Sequence, residues 1–288
     1  MRIEPIGAFG VEVTGVDLSV ALGPAEEDAL RHLYATARLI LFRGQAIGFD
    51  DHIRLCRIFG TVLDEDHKGV GYVSNVRADG FVPEGELYFH SDFAFTAEPC
   101  PGISLYALDV PAGCPTVWAD AARAAALLPA ELRRAVAGRA ALHLFDLAEQ
   151  RGDLRYRAGM LPEGPLAPRW VHPVLLRHPL TGDEVLYVSQ MQTDRIVDLD
   201  PEESEELLTR LRAVLYEEGN VYRHEWSVGD VVVWDNVALQ HARPVPPPRA
   251  PRTLHRVAIS DHSVFDLVPG FAEYLAARGP RLLAPRAQ

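Results

Sequence analysis

The sequence predicts a mainly β fold, a barrel or jelly roll with a few covering helices, in one domain spanning residues 1–288. Three observations predict it. Short apolar or alternating runs recur from end to end of the chain, turns bearing Gly or Pro separate them, and the few stretches of helical spacing fall between them without any repeat or linker.

Val11, Val13 and Val16 alternate with polar residues, which predicts a short strand and turn. Gly23-Pro24 opens a helix, since proline is tolerated at the first helical position. Leu30, Leu33, Tyr34 and Ala37 then share one of its faces. The compact run from Leu39 to Phe42, closed by Arg43-Gly44-Gln45, predicts a buried strand, and a second helix follows from near Asp50 to near Gly60. Strands are expected over 71–75, 86–90, 103–108 and 116–118, with turns at Ala78-Asp79-Gly80, Pro83-Glu84-Gly85 and Pro111-Ala112-Gly113.

An alanine-rich helical stretch over 119–138 is split by Pro129. Residues 146–170 hold Gly, Pro and Arg without periodicity, a length that predicts a lid over a site rather than a plain connection. Strands resume over 171–176 and 185–188. Asp200-Pro201 then caps a helix whose Leu207, Leu208, Leu211, Val214 and Leu215 face a core, ending at Gly219. The last strands are expected over 221–226, 231–234 and 253–260, with a proline-rich excursion over 245–251.

A net charge of −12 with pI near 5.4 argues against a nucleic-acid or anionic-membrane surface. The three cysteines, Cys56, Cys100 and Cys114, show no paired spacing and fit a reduced compartment. No signal-like apolar run opens the chain and no stretch has the length of a membrane span, so a cytoplasmic protein is expected, acting on a small molecule as a monomer or a homo-oligomer.

The chemistry centres on Phe89-His90-Ser91-Asp92. On a strand, His90 and Asp92 would share a face, offering an imidazole and a carboxylate to one space. A third ligand from elsewhere would complete the two-histidine, one-carboxylate facial triad that holds non-heme Fe(II) and leaves positions open. With eleven histidines, about one His-x-Asp is expected by chance, so the motif needs its companions. Those are Trp234-Asp235-Asn236, then His241 in the loop after the strand, then Arg252 and Arg256, which share a face with Leu254. Buried guanidiniums need anions, and a carboxylate held by two parallel hydrogen bonds is the usual partner.

Together these residues resemble the Fe(II)- and 2-oxoglutarate-dependent dioxygenases of the taurine dioxygenase and 2,4-dichlorophenoxyacetate dioxygenase family. The resemblance runs from residues 11–18 through Phe42-Arg43-Gly44-Gln45, Thr116-Val117-Trp118, His172-Pro173, Leu186-Tyr187-Val188 and Gly229-Asp230 to the arginine pair. It implies a double-stranded β-helix with helices packed outside. It also implies His90, Asp92 and His241 as Fe(II) ligands, Arg252 and Thr116 as binders of the distal carboxylate of 2-oxoglutarate, and Arg256 as a second arginine near co-substrate and substrate. Oxidative decarboxylation of 2-oxoglutarate by O2 would then be coupled to oxidation of a small molecule. Hydroxylation is the default outcome; desaturation, epoxidation and ring closure use the same ligands, while halogenation is disfavoured because Asp92 fills the position a halide needs.

Two departures stand out. Gly113-Cys114-Pro115 replaces the Gly-Gly-Asp that usually precedes the threonine, and Glu86 stands where the taurine enzyme has an asparagine that contacts its sulfonate. A carboxylate repels a sulfonate and attracts an amine, so the expected substrate is an amine-bearing or larger metabolite rather than taurine. Trp118, Trp234 and His255 read as packing residues, and Asp235 and Asn236 as the residues that fix the loop before His241. The rivals are a jelly-roll binding protein without catalysis, which would need the triad or Arg252 broken, and a metal-dependent hydrolase, which has no use for Thr116 with Arg252.

Overall fold

A computed structural model describes residues 1–63, 70–81, 86–145, 168–244 and 250–273. In chain order the strands are β1 (Arg2–Pro5), β2 (Val11–Thr14), β3 (Leu39–Phe42), β4 (Val70–Ser74), β5 (Gly80–Phe81), β6 (Leu87–His90), β7 (Gly102–Asp109), β8 (Thr116–Asp120), β9 (Ala140–Leu144), β10 (Arg169–Pro173), β11 (Leu175–Arg177), β12 (Glu184–Leu186), β13 (Thr193–Ile196), β14 (Val221–His224), β15 (Val231–Asp235), β16 (Leu239–Arg243) and β17 (Thr253–Ile259). The helices are α1 (Pro24–Ala37), α2 (Phe49–Cys56), α3 (Ala121–Ala126), α4 (Ala130–Val136), α5 (Pro201–Leu215) and α6 (Val264–Leu267).

Two sheets make the frame. The larger runs β1-β2-β3-β15-β7-β17-β4-β5 and the smaller β14-β8-β16-β6. Alternation along the strands decides what lies between them. Leu39 and Leu41, Ile103 and Leu105, Val232 and Trp234, and Leu254 of the larger sheet meet Trp118 and Leu239 of the smaller one in a single apolar layer. Trp118 and Trp234 cross edge to face there with centroids 5.4 Å apart, both fully buried, as expected of packing residues.

The alternate residues Ile40, Phe42, Val231, Val233 and Val257 point to the other face of the larger sheet, where Leu30 and Tyr34 of α1 and Leu55 and Cys56 of α2 cover them. That face explains why β15 reads as a continuous apolar run, since both its sides are buried. It also holds a polar chain. Ser104 donates to the Val232 carbonyl at 3.0 Å, so it accepts from His52 Nε2 at 2.7 Å, which leaves His52 Nδ1 to accept from His255 Nδ1 at 2.7 Å. His255 therefore faces away from the pocket lined by its neighbours Arg252, Leu254 and Arg256, as its parity on β17 requires.

A third core lies beside the sandwich, where α3, α4 and α5 pack on β12 and its neighbours through Ala121, Ala125, Leu132, Leu186, Leu208 and Leu211. The expected capping of α5 is present: Asp200 accepts from the Glu202 and Glu203 amides at 3.0 Å.

Several expectations need correction. α2 stops at Cys56 rather than near Gly60, and α5 ends at Leu215, capped by Tyr216, before a 3-10 turn over Glu218–Asn220. β9 and β13, which pair with each other, were not foreseen because their runs are short and lack turn signals on both sides. Of the expected lid over 146–170, residues 146–167 lie outside the described residues, whereas Arg169 and Trp170 belong to β10 and pair with β9. His241 lies on β16 and not in a loop, because the three residues after Asp235 reverse the chain at once and β16 then pairs with both β8 and β6.

Candidate active site

The site begins with one antiparallel pairing. β6 and β16 place His90 directly opposite His241, ring centroids 4.1 Å apart. β6 ends at His90, so Asp92 is presented by the turn that follows rather than by the strand itself. The turn still brings the carboxylate in: Asp92 Oδ1 lies 3.3 Å from His90 Nε2 and 3.8 Å from His241 Nε2. One ligand atom from each residue falls within 4.8 Å of the other two, the sole cluster of this kind among the described residues.

The surroundings of the three groups suit a metal. His90 Nδ1 donates to the Tyr88 carbonyl at 2.8 Å, which turns the Nε2 lone pair inward. Burial pushes His241 down to about 3, aided by the neighbouring His90, so its imidazole is neutral. Burial alone would raise the Asp92 carboxyl. Arg256, donating from Nη2 to Oδ2 at 2.5 Å, leads the contacts that outweigh it and hold the carboxyl well below the usual carboxylate range. Two imidazole nitrogens and a carboxylate in this arrangement fit a divalent transition metal with open positions.

Thr116, Arg252 and Arg256 line the same pocket as the three ligand-type side chains, walled by Ile103, Leu105, Trp234 and Leu254. Arg252 is 4% exposed, and its Nε has no hydrogen-bond partner among the described residues. Burial lowers its guanidinium to about 10, which leaves it a cation at neutral pH. Thr116 Oγ1 accepts from Trp226 Nε1 at 2.9 Å, so its own proton remains to be donated. A buried cation without a counter-ion beside a free hydroxyl proton is a receptor for a carboxylate.

A family model described as taurine catabolism dioxygenase TauD, TfdA family, matches residues 2–258. The chain belongs to the TauD/TfdA family. It is 27% identical to pentalenolactone F synthase of Streptomyces avermitilis, over 91% of this chain and 93% of that one. It is 30% identical to the (S)-phenoxypropionate/alpha-ketoglutarate-dioxygenase of Delftia acidovorans, over 84% and 88%. The crystal structure of a taurine dioxygenase from Burkholderia xenovorans superposes with a TM-score of 0.75 at 28% identity, covering 90% of each chain. The protein is thus a 2-oxoglutarate-dependent dioxygenase and an oxidoreductase.

Within this TauD/TfdA framework the structure brings together six of the seven singled-out residues: His90, Asp92, His241, Thr116, Arg252 and Arg256. The seventh, Glu86, is exposed just before β6 and is not among the residues lining the pocket, although its neighbour Leu87 is. Sequence reasoning missed Asn75 and Trp226, which set other site residues, and gave Asn236 a different partner, the loop before His241. Asn75 accepts from the Arg252 amide at 2.8 Å and donates to the Ala250 carbonyl at 2.7 Å, aiming the approach to Arg252. Trp226 orients Thr116, and Asn236 bonds the backbone of Asp92. Their partners lie 177, 110 and 144 residues away, so no local pattern announces them. Asp235 does fix the turn before β16, accepting from the Val237 and Ala238 amides and from His178 Nε2.

Proposed function

We propose that this dioxygenase uses Fe(II), held by His90, Asp92 and His241, to hydroxylate an unactivated C–H bond of a small-molecule metabolite, releasing succinate and CO2 from 2-oxoglutarate. The fold in this reading is the double-stranded β-helix, supported by the two-sheet frame around the pocket. One observation supports the reading most: the buried guanidinium of Arg252, whose Nε has no hydrogen-bond partner among the described residues, opens on the same pocket as the three ligand-type side chains. A metal-dependent hydrolase gains nothing from that cation, and a binding protein gains nothing from the triad.

When bound, the iron would couple decarboxylation of the 2-oxo acid by O2 to oxidation of the substrate. The chain's own residues do the rest. Arg252 and Thr116 hold the distal carboxylate, which leaves the 2-oxo acid end free to reach the metal side of the pocket. Arg256 keeps Asp92 ionised and orients one carboxylate oxygen, so the other faces the imidazoles. Ile103, Leu105 and Leu254 exclude water around these groups and strengthen each charge interaction. Glu86 is exposed beside Leu87, which lines the pocket, so in this reading Glu86 would meet a substrate amine at the pocket's outer edge and not beside the metal.

A metabolite panel assayed for substrate-stimulated succinate, with mass spectrometry of the co-product, tests the proposal. The reading predicts a compound that raises succinate release and gains one oxygen atom. A product that loses two hydrogens or closes a ring would keep the cofactors and replace hydroxylation by desaturation or cyclisation.

A further inference from the structure

We propose that Asn236 is a positioning residue of the metal centre: its carboxamide locks the turn carrying Asp92 to the turn before His241, so the ligand geometry exists before metal binds. The inference rests on the reading of His90, Asp92 and His241 as metal ligands.

Asn236 is fully buried, and its carboxamide acts as a stretch of strand backbone would. Oδ1 accepts from the Asp92 amide at 3.0 Å, while Nδ2 donates to the Asp92 carbonyl at 3.0 Å and to the Cys100 carbonyl at 2.9 Å. Both amide protons and the oxygen are used, and the orientation is forced. A flipped amide would set an oxygen against two carbonyls and an NH2 against an N–H.

The clamp has something to restrain. Phe93, directly after Asp92, sits at φ 62°, a left-handed conformation that a side-chain-bearing residue adopts only at a cost in backbone strain. Thr96 bonds back to the Phe93 carbonyl at 2.8 Å and His172 Nε2 reaches the Thr96 carbonyl at 2.9 Å, so the far end of the turn is held too. Asn236 ties its near end across the site to the turn leading into β16. Asp92 is also drawn to Arg256, and a turn free to relax would let the carboxylate follow the guanidinium away from the imidazoles.

Asn220 provides a matched control. It is 2% exposed, its Nδ2 donates to the Asp120 and Leu215 carbonyls at 2.9 and 2.8 Å, and its Oδ1 accepts from Arg123 at 3.0 Å, away from the site. Mn(II) titration followed by electron paramagnetic resonance compares Asn236→Ala with Asn220→Ala. Both should lower Tm, but Asn236→Ala should weaken Mn(II) binding about 10- to 100-fold and alter the zero-field splitting of the bound ion, with Asn220→Ala near wild type. Asn236→Asp keeps the Asp92 N–H acceptor yet sets an oxygen against two carbonyls. It should show the same loss, and it carries the test if the alanine variant does not fold. Mn(II) affinity and spectrum unchanged in the Asn236 variants would overturn the clamp alone. Wild-type protein that binds no Mn(II) would overturn the metal reading beneath it.

Discussion

At the scale of single residues, the two arginines of β17 and its approach have different surroundings and should give different phenotypes. Arg256 is committed to Asp92, whereas Arg252 has no counter-ion among the described residues. Lysine cannot reproduce the planar fork of Arg252. Arg252→Ala should cost roughly 2–5 kcal/mol of 2-oxoglutarate binding, about thirtyfold to several thousandfold in affinity, and Arg252→Lys should therefore also weaken it steeply, while metal binding persists because no ligand is touched. Co-substrate titration at saturating Fe(II) measures this, and an unchanged affinity would remove Arg252 from the co-substrate site. His241→Ala should show the complementary pattern, losing the metal and turnover together. Retention of wild-type metal stoichiometry in that variant would break the triad. The placement of His90 with Asp92, and of Arg252 with Arg256, on one pocket was legible in the sequence because His-x-Asp and the Arg252, Leu254, Arg256 parity are local. The supports of Asn75, Trp226 and Asn236 were not, because each reaches its partner only after the sheets have formed.

At the scale of elements, strands buried on both faces and helices with one apolar face announced themselves: β3, β15, α1 and α5 lie where their periodicity puts them. β16 did not. Leu239, His241 and Arg243 share one face of it, and the polar members of that face point inward to the pocket. This inverts the usual apolar-in alternation and made the segment read as a loop. A strand whose inner face is polar depends on its neighbours for stability. Trp234, packed between Trp118 and His241 at centroid distances of 5.4 and 4.9 Å, is the main apolar support. Trp234→Ala should cost about 3–5 kcal/mol in urea unfolding through the cavity it leaves. A loss below 1 kcal/mol would mean that the inter-sheet layer collapses around the deletion and that the indole is not what holds β16 in place.

At the scale of the whole molecule, the fold keeps several imidazoles neutral in its interior. Burial holds His255 at about 4 and His143 at about 3, and lowers His52 well below its ordinary value. Unfolded, each would titrate near 6.5. As pH falls below that value the unfolded chain takes up protons first, so stability that is full above about 6.5 declines progressively toward 4. Tm measured across that interval should fall steadily, and a flat profile would contradict neutral burial of these groups. The same interior that excludes protons from the histidines frames the pocket where the triad, the Thr116 hydroxyl and the Arg252 guanidinium converge, and that convergence is the central claim. Its most direct measurement is the visible spectrum of the anaerobic protein with Fe(II), before and after 2-oxoglutarate is added. A charge-transfer band that appears only after 2-oxoglutarate, and is lost in His241→Ala, is the expected result; Fe(II)-loaded protein that stays colourless at saturating 2-oxoglutarate would contradict it.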